Sequence, residues 1–250
     1  MSRSAAFFVI FLLAGAFAAP VLAGEATPDA TPSAAVEFST QTFVWRSTEP
    51  LTLDAVLAHF AYFDANLHSL SAHFTQNLAV PETGMSSSIE GNVGFLKPER
   101  IRIEHIRPER QTIVADGKDV WIHRHSRDQV IHSKLEDWKQ SDPAIGNLMQ
   151  FGSYGKMLQA YDVALDSAAG INALILRPKT AQKTAFTLRL ELSRDTLFPS
   201  ATILEVGSMS IQTRFDDLTY NPDLQGKDFR FTPPAGAEVF RNFKPPKFQP

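Results

Sequence analysis

The spacing of apolar positions along the chain falls into two regimes. Val56, Leu57, Phe60, Phe63 and Leu67 recur at steps of one, three, three and four, the single stripe of an amphipathic helix. Thr52 stands where a hydroxyl can cap that helix. Asp54 lies in its first turn, where the helix N-terminus favours negative charge. The spacing predicts a helix from Thr52 to about Leu67. Beyond it the period falls to two. Leu70, Ala72 and Phe74 alternate with Ser71, His73 and Thr75. Ile89, Gly91, Val93 and Phe95 alternate with Glu90, Asn92 and Gly94, and Ile101 and Ile103 with Arg100, Arg102 and Glu104. Further strands are predicted at 111–115, 120–124, 129–133, 161–165, 173–177, 186–192, 201–206, 210–215 and 228–232.

Short turns join these runs. Asp116-Gly117 between two apolar stretches is a strong hairpin signal. Ser126 to Asp128, Ala169-Gly170 and Leu197 to Ser200 serve as looser turns. Strands separated by such short connections pair antiparallel. The alternation stops between Leu135 and Ala160. There Pro143 can start a helix, Ile145, Leu148, Met149 and Phe151 space as a helical face, and Met157, Leu158 and Tyr161 extend it past Gly152 to Gly155. The predicted architecture is therefore mainly β. About eleven strands form one large antiparallel sheet, which must curl because strands twist. The two helical pieces bury their apolar faces as a lid on its concave side.

The N-terminus reads differently. Arg3 precedes an uncharged apolar run from Ala5 to Ala19, and Val21-Leu22-Ala23 places small residues before Gly24. This is the pattern of a secretory signal peptide over residues 1–23, and the run is shorter than the roughly 20 residues that span a bilayer. No cysteine follows, so the new N-terminus cannot be lipid-modified. Residues 24–50, rich in Ala, Thr, Pro and Ser, read as a flexible extension whose end, at Phe38, Phe43, Val44 and Trp45, touches the body. Residues 51–250 carry no second linker and no repeat, and read as one domain. The expected product is soluble, exported and periplasmic.

Composition then removes functional classes. The 250 residues hold 24 Lys and Arg against 27 Asp and Glu, a net charge of −3. Loss of Arg3 leaves 23 basic residues and a charge of −4. No basic surplus indicates nucleic acid. The absence of cysteine excludes disulfides, thiolate metal sites and Cys nucleophiles. Gly152-Ser153-Tyr154-Gly155 lacks the glycine spacing of a nucleophile elbow, and no P-loop or dinucleotide fingerprint is present. His123 and His125 form the best metal pair, but two ligands do not make a site. Neither an enzyme nor a cofactor is expected. The informative surplus is apolar: 19 Phe against 4 Tyr and 3 Trp. A curled sheet under a helical lid can leave part of its apolar face to guests such as acyl chains, each methylene gaining roughly 0.8 kcal/mol on leaving water. Met149 and Met157 suit an adaptable wall.

Four motifs, in order, carry a resemblance. Phe74-Thr75-Gln76 follows the first helix. Glu90-Gly91 leads to Leu96-Lys97-Pro98. Ile113-Val114-Ala115-Asp116-Gly117-Lys118 precedes Val120-Trp121. Phe229-Arg230-Phe231-Thr232-Pro233-Pro234-Ala235-Gly236 lies near the end. From about Leu53 to Val239 the chain resembles the LolA family of periplasmic lipoprotein carriers. The resemblance implies an unclosed barrel with a helical lid over an apolar cavity. It also implies a monomeric shuttle taking acylated lipoproteins from an inner-membrane ABC exporter to an outer-membrane acceptor lipoprotein. The expected acyl-binding residues are Phe74, Phe95, Ile103 and Trp121 on strands and Leu148, Met149 and Phe151 on the lid. Where well-studied members use an Arg to hold the lid shut, this chain has Lys97, which can donate to carbonyls but lacks the planar fork; Arg100 and Arg102 are other cations nearby. The alternative is a sensor of the RseB type, which shares the barrel and regulates a membrane-bound partner. A lipid-modifying hydrolase is a more distant third.

Overall fold

Alternation fixes the sheet before anything else does. In the computed structural model, which describes residues 43–46, 50–141, 158–159, 161–179, 186–241 and 243, twelve strands form a single sheet. In chain order they are β1 (Ser69–Val80), β2 (Met85–Leu96), β3 (Arg100–Arg107), β4 (Gln111–Asp116), β5 (Asp119–Arg124), β6 (Gln129–Lys134), β7 (Tyr161–Asp166), β8 (Ala173–Pro178), β9 (Phe186–Leu192), β10 (Pro199–Val206), β11 (Met209–Tyr220) and β12 (Glu238–Phe240). Their order across the sheet is β12-β6-β5-β4-β3-β2-β1-β11-β10-β9-β8-β7. The end strands β12 and β7 do not pair, so the barrel is unclosed. All pairings are antiparallel except β12 on β6, which is parallel.

Two α-helices are described, α1 (Leu53–Asn66) and α2 (Leu135–Ser141). Helix α1 begins as its sequence predicts: the Thr52 hydroxyl accepts from the Ala55 amide at 3.2 Å. Its stripe is buried, with Val56 and Phe63 fully covered and Phe60 nearly so. Each such aromatic contributes roughly 1.5–3 kcal/mol by burial. The turn after β4 also follows its signal. Gly117 adopts φ +96°, and the Asp116 carboxylate accepts from the amides of Lys118 and Asp119 at 2.9 and 2.8 Å, which closes the β4–β5 hairpin.

Gly91 is required for a different reason. A Cβ there would lie 2.3 Å from the Glu104 carbonyl oxygen and 2.8 Å from the Phe74 ring. The missing side chain lets β3 and the Phe74 ring close over β2. The strand expected at 228–232 is not formed. Gly226–Phe229 is a 3-10 turn, and a turn in which the Ala237 amide donates to the Pro234 carbonyl then leads into β12. The mid-chain helix expected after Pro143 lies outside the described residues, and α2 precedes it.

Candidate functional site

The pairing register sorts every strand residue onto one of two faces. On β1 one face carries Leu70, Ala72 and Phe74, opposite Phe95, Val93 and Gly91 of β2. Phe95 and Val93 in turn face Ile101 and Ile103 of β3, and Ile103 faces Ile113 of β4. On the other side of β1, Phe74 pairs with Phe215 of β11. The same face continues through Leu204 of β10, Leu188 of β9 and Leu176 of β8 to Val163 of β7. It is an apolar wall reaching across the sheet, and its members are part of one buried core. The residues of α1 that bury its stripe belong to that core too, which identifies this face as the inner one.

Three of the expected wall residues fall together here. Phe74 is fully buried, and Phe95 and Ile103 are exposed by 3% and 2%. Trp121 does not join them. It pairs with Val114 and His132 while its neighbours Val120 and Ile122 face inward, so Trp121 belongs to the outer face. There it stacks on His132 at 4.0 Å and packs against Phe231 at 5.7 Å. Leu148, Met149 and Phe151 lie outside the described residues.

Both helices are held by one turn. Between β2 and β3, Lys97 Nζ donates to the Asp64 carbonyl in the last turn of α1 at 2.8 Å. Two residues on, Glu99 pairs with Lys139 of α2. A cation at the carbonyl end of a helix is favourably placed. Burial lowers the Lys97 pKa, opposed by the nearby Asp64 carboxylate. The Lys97 contact was legible as a motif position, whereas Glu99 was not. Arg102 is not part of this clamp. It pairs with Glu104 at 2.8 Å on the outer face and reaches the Asp228 carbonyl at 3.4 Å, securing the C-terminal segment.

The N-terminal extension contributes directly to the core. Phe43, 3% exposed, stacks on Phe63 of α1 at 4.8 Å and 9° and meets the Tyr220 ring at 5.3 Å. The Trp45 amide donates to the Asp195 carbonyl at 2.6 Å, and its ring meets His59 edge-on at 5.1 Å. The His59 ring in turn lies 2.8 Å from the Thr196 carbonyl. Burial lowers the His59 pKa against that hydrogen bond. The extension thus pins α1 to the turn between β9 and β10.

The outer face is polar where the inner one is apolar. Glu90 binds Arg107 and lies 3.4 Å from His73. Asp119 binds Lys134 and lies 3.1 Å from His132; burial pushes its carboxyl up, but these two partners outweigh that and leave it below the usual range. His123 and His125 have rings 4.1 Å apart, with His125 in a turn after β5 and 2.9 Å from the Thr112 hydroxyl. Among the described residues no group of three or more His, Asp or Glu could hold a metal ion, and no helix is long and apolar enough to cross a membrane.

An unclosed, mainly antiparallel β-barrel with an apolar inner wall and helices against it is the class of protein this geometry defines. The family model described as "Outer membrane lipoprotein carrier protein LolA" matches residues 65–232, and the chain belongs to that family. It is 27% identical over 180 residues to the outer-membrane lipoprotein carrier protein of Xanthomonas oryzae pv. oryzae (strain MAFF 311018), covering 71% of this chain and 84% of the relative. With the protein of the same name from Hahella chejuensis (strain KCTC 2396) it shares 27% identity over 203 residues, 78% of this chain and 95% of the relative. Among solved structures it is similar to a LolA superfamily protein from Nitrosomonas europaea, with 15% identity, a TM-score of 0.44 and coverage of 73% and 99%. It is also similar to a chain of the Pseudomonas aeruginosa MucA/MucB complex, with 17% identity, a TM-score of 0.37 and coverage of 71% and 60%.

Proposed function

We propose that this chain is a periplasmic carrier that binds the acyl chains of lipoproteins against its inner wall and releases them, without catalysis. In this reading residues 1–23 are a cleaved signal peptide, 24–50 an extension anchored at Phe43, and 51–250 the carrier domain. Cargo is received from an inner-membrane ABC exporter and delivered to an outer-membrane acceptor lipoprotein, with the carrier acting as a monomer. The observation that carries the reading is the inner face itself, a predominantly apolar wall that shares one buried core with α1, in a member of a lipoprotein-carrier family.

Phe74, Phe95 and Ile103 form the described part of the acyl-binding wall, and Leu148, Met149 and Phe151 supply the lid. Their number of apolar contacts matters more than any one of them, because hydrocarbon contact is non-directional. The wall is buried, so an acyl chain reaches it only as the covering elements move. Lys97 acts as the gate: its bond to the Asp64 carbonyl holds the end of α1 and must yield on loading.

Native mass spectrometry of the exported protein tests the reading. A heterogeneous acylated adduct, together with lipoproteins missorted on depletion, is the expected result. The bare polypeptide mass and intact sorting would refute it. Depletion that instead deregulated a membrane-bound partner would place the chain with the sensors.

A further inference from the structure

The segment ahead of α1 touches both the helix and the sheet. Phe43 is buried, whereas its neighbour Val44 is 41% exposed. The Phe43 ring stacks on Phe63 of α1 at 4.8 Å and lies edge-on to Tyr62 at 5.7 Å, and it also meets Tyr220 at the end of β11 at 5.3 Å. Two positions on, Trp45 repeats the arrangement. Its ring meets His59 of α1 at 5.1 Å, and its amide donates to the Asp195 carbonyl in the turn between β9 and β10 at 2.6 Å. Phe43 sits beside Tyr62 and Phe63, and Trp45 beside His59. The segment therefore runs antiparallel to the second half of the helix and bridges it to the barrel at two points.

Along its length α1 also meets the sheet directly, mostly through rings. Phe63 packs on Phe198 at 4.9 Å and on Tyr220 at 5.7 Å, and His59 lies 2.8 Å from the Thr196 carbonyl. The junction after α1 is fixed differently, through main-chain atoms. Asn221 follows β11 in the left-handed region at φ +52°. Its side chain accepts from the His68 and Ser69 amides at 2.7 and 3.2 Å and donates to the Asn66 carbonyl at 3.0 Å. Its own amide donates to the Ser69 carbonyl at 2.9 Å. Hydrogen bonds thus hold the point where α1 becomes β1. A helix bonded at that pivot and held elsewhere by non-directional ring contacts can swing about its end while the sheet stays paired.

We infer that Phe43 to Trp45 form a strap that locks α1 against the inner wall and sets how fast an acyl chain is admitted. This rests on the acyl-carrier reading and adds an intramolecular brake to it. Lys97 holds the main chain of α1, and the strap holds its side chains. The strap is suited to release. It belongs to no strand or helix, and one buried ring, one half-buried ring and one backbone hydrogen bond connect it to the body. Because Phe43 is tethered to the helix it holds, its effective concentration there is high, and it returns once cargo has entered. The strap therefore slows loading and release alike.

Stopped-flow mixing of the mature full chain with cis-parinaric acid, a fatty acid that fluoresces in apolar surroundings, tests the strap. Phe43→Ala is expected to raise the association and dissociation rate constants each about tenfold, the increment of losing a buried aromatic contact, and to leave Kd within about threefold. Trp45→Ala, which removes a half-buried ring, is expected to raise both several-fold. Phe43→Leu should fall between Phe43→Ala and wild type, and Val44→Ser should match wild type. Without fatty acid, amide hydrogen exchange is expected to quicken in α1 of Phe43→Ala and not in β1 to β4. A ring that merely packs would change dissociation alone, with association untouched. That result, or unchanged rates in both Phe43→Ala and Trp45→Ala, would overturn the inference while binding by wild type upheld the carrier reading. Binding of the fatty acid by none of the proteins would overturn both.

Discussion

The two faces of this one sheet are built from the same strands and do opposite things. The inner face is assembled from every second residue of β1 to β11, and pairs Phe with Gly, Ile with Ile and Leu with Leu across strands. The outer face is laced with ion pairs, Glu90–Arg107, Arg102–Glu104 and Asp119–Lys134. Part of it is covered by the chain's own C-terminal segment, where Phe229 is buried and Phe231 meets Trp121 and His123. The lesson is one of permanence. The outer cover is fixed by complementary aromatic rings and by Arg102 on the Asp228 carbonyl. The inner cover is a helix held near its C-terminal end, by Lys97 on the Asp64 carbonyl and by Phe43 stacked on Phe63. In the proposed reading one face is closed for stability, and the other is closed so that it can be opened.

Perturbing either face should separate these roles. Phe74→Ala removes a fully buried ring that seals Gly91, and a loss of about 4 kcal/mol in denaturant unfolding is expected, together with acyl binding. Next is pH. His105 is lowered by burial from 6.5 to about 4, so the unfolded chain binds this proton first on acidification. Its contribution, on the order of 3 kcal/mol, is full above pH 6.5 and is lost as pH falls toward 4. His105→Leu should flatten that part of the stability–pH curve, and an unchanged slope would refute the assignment. Trp121→Ala, on the outer face, should lower stability by about 1 kcal/mol and leave acyl affinity untouched; reduced affinity would contradict the separation of the faces. Smallest in stability is Lys97→Met. It deletes one bond to a carbonyl, about 1 kcal/mol, but should speed cargo exchange several-fold in a stopped-flow displacement measurement.

Much of this was legible in the chain because local and global preferences agree. The α1 stripe, its Thr52 cap and the Asp116-Gly117 turn each form as their residue types require. Trp121 was misplaced for a physical reason. Val120, Trp121 and Ile122 are all apolar because both sides of β5 are covered, and a strand buried on both faces carries no alternation to read. What covers it is Phe231, more than a hundred residues away in sequence. Sequence separation likewise hid the Glu99–Lys139 pair, 40 residues apart. The segment at 228–232 alternates like a strand but packs by its rings instead of pairing. His105 was accessible in principle, since it continues the alternation of Ile101 and Ile103, and a polar residue at an apolar position was the signal.

The central claim is that the inner face, and not the outer, receives acyl chains. Photocrosslinking of the mature protein with a palmitoyl probe carrying a terminal diazirine, followed by peptide mapping, tests it most directly. The account predicts adducts on inner-face residues of β1 to β4 and β9 to β11, Phe74, Ile103 and Leu188 among them. Adducts confined to Trp121, His132 and the other outer-face positions would contradict it.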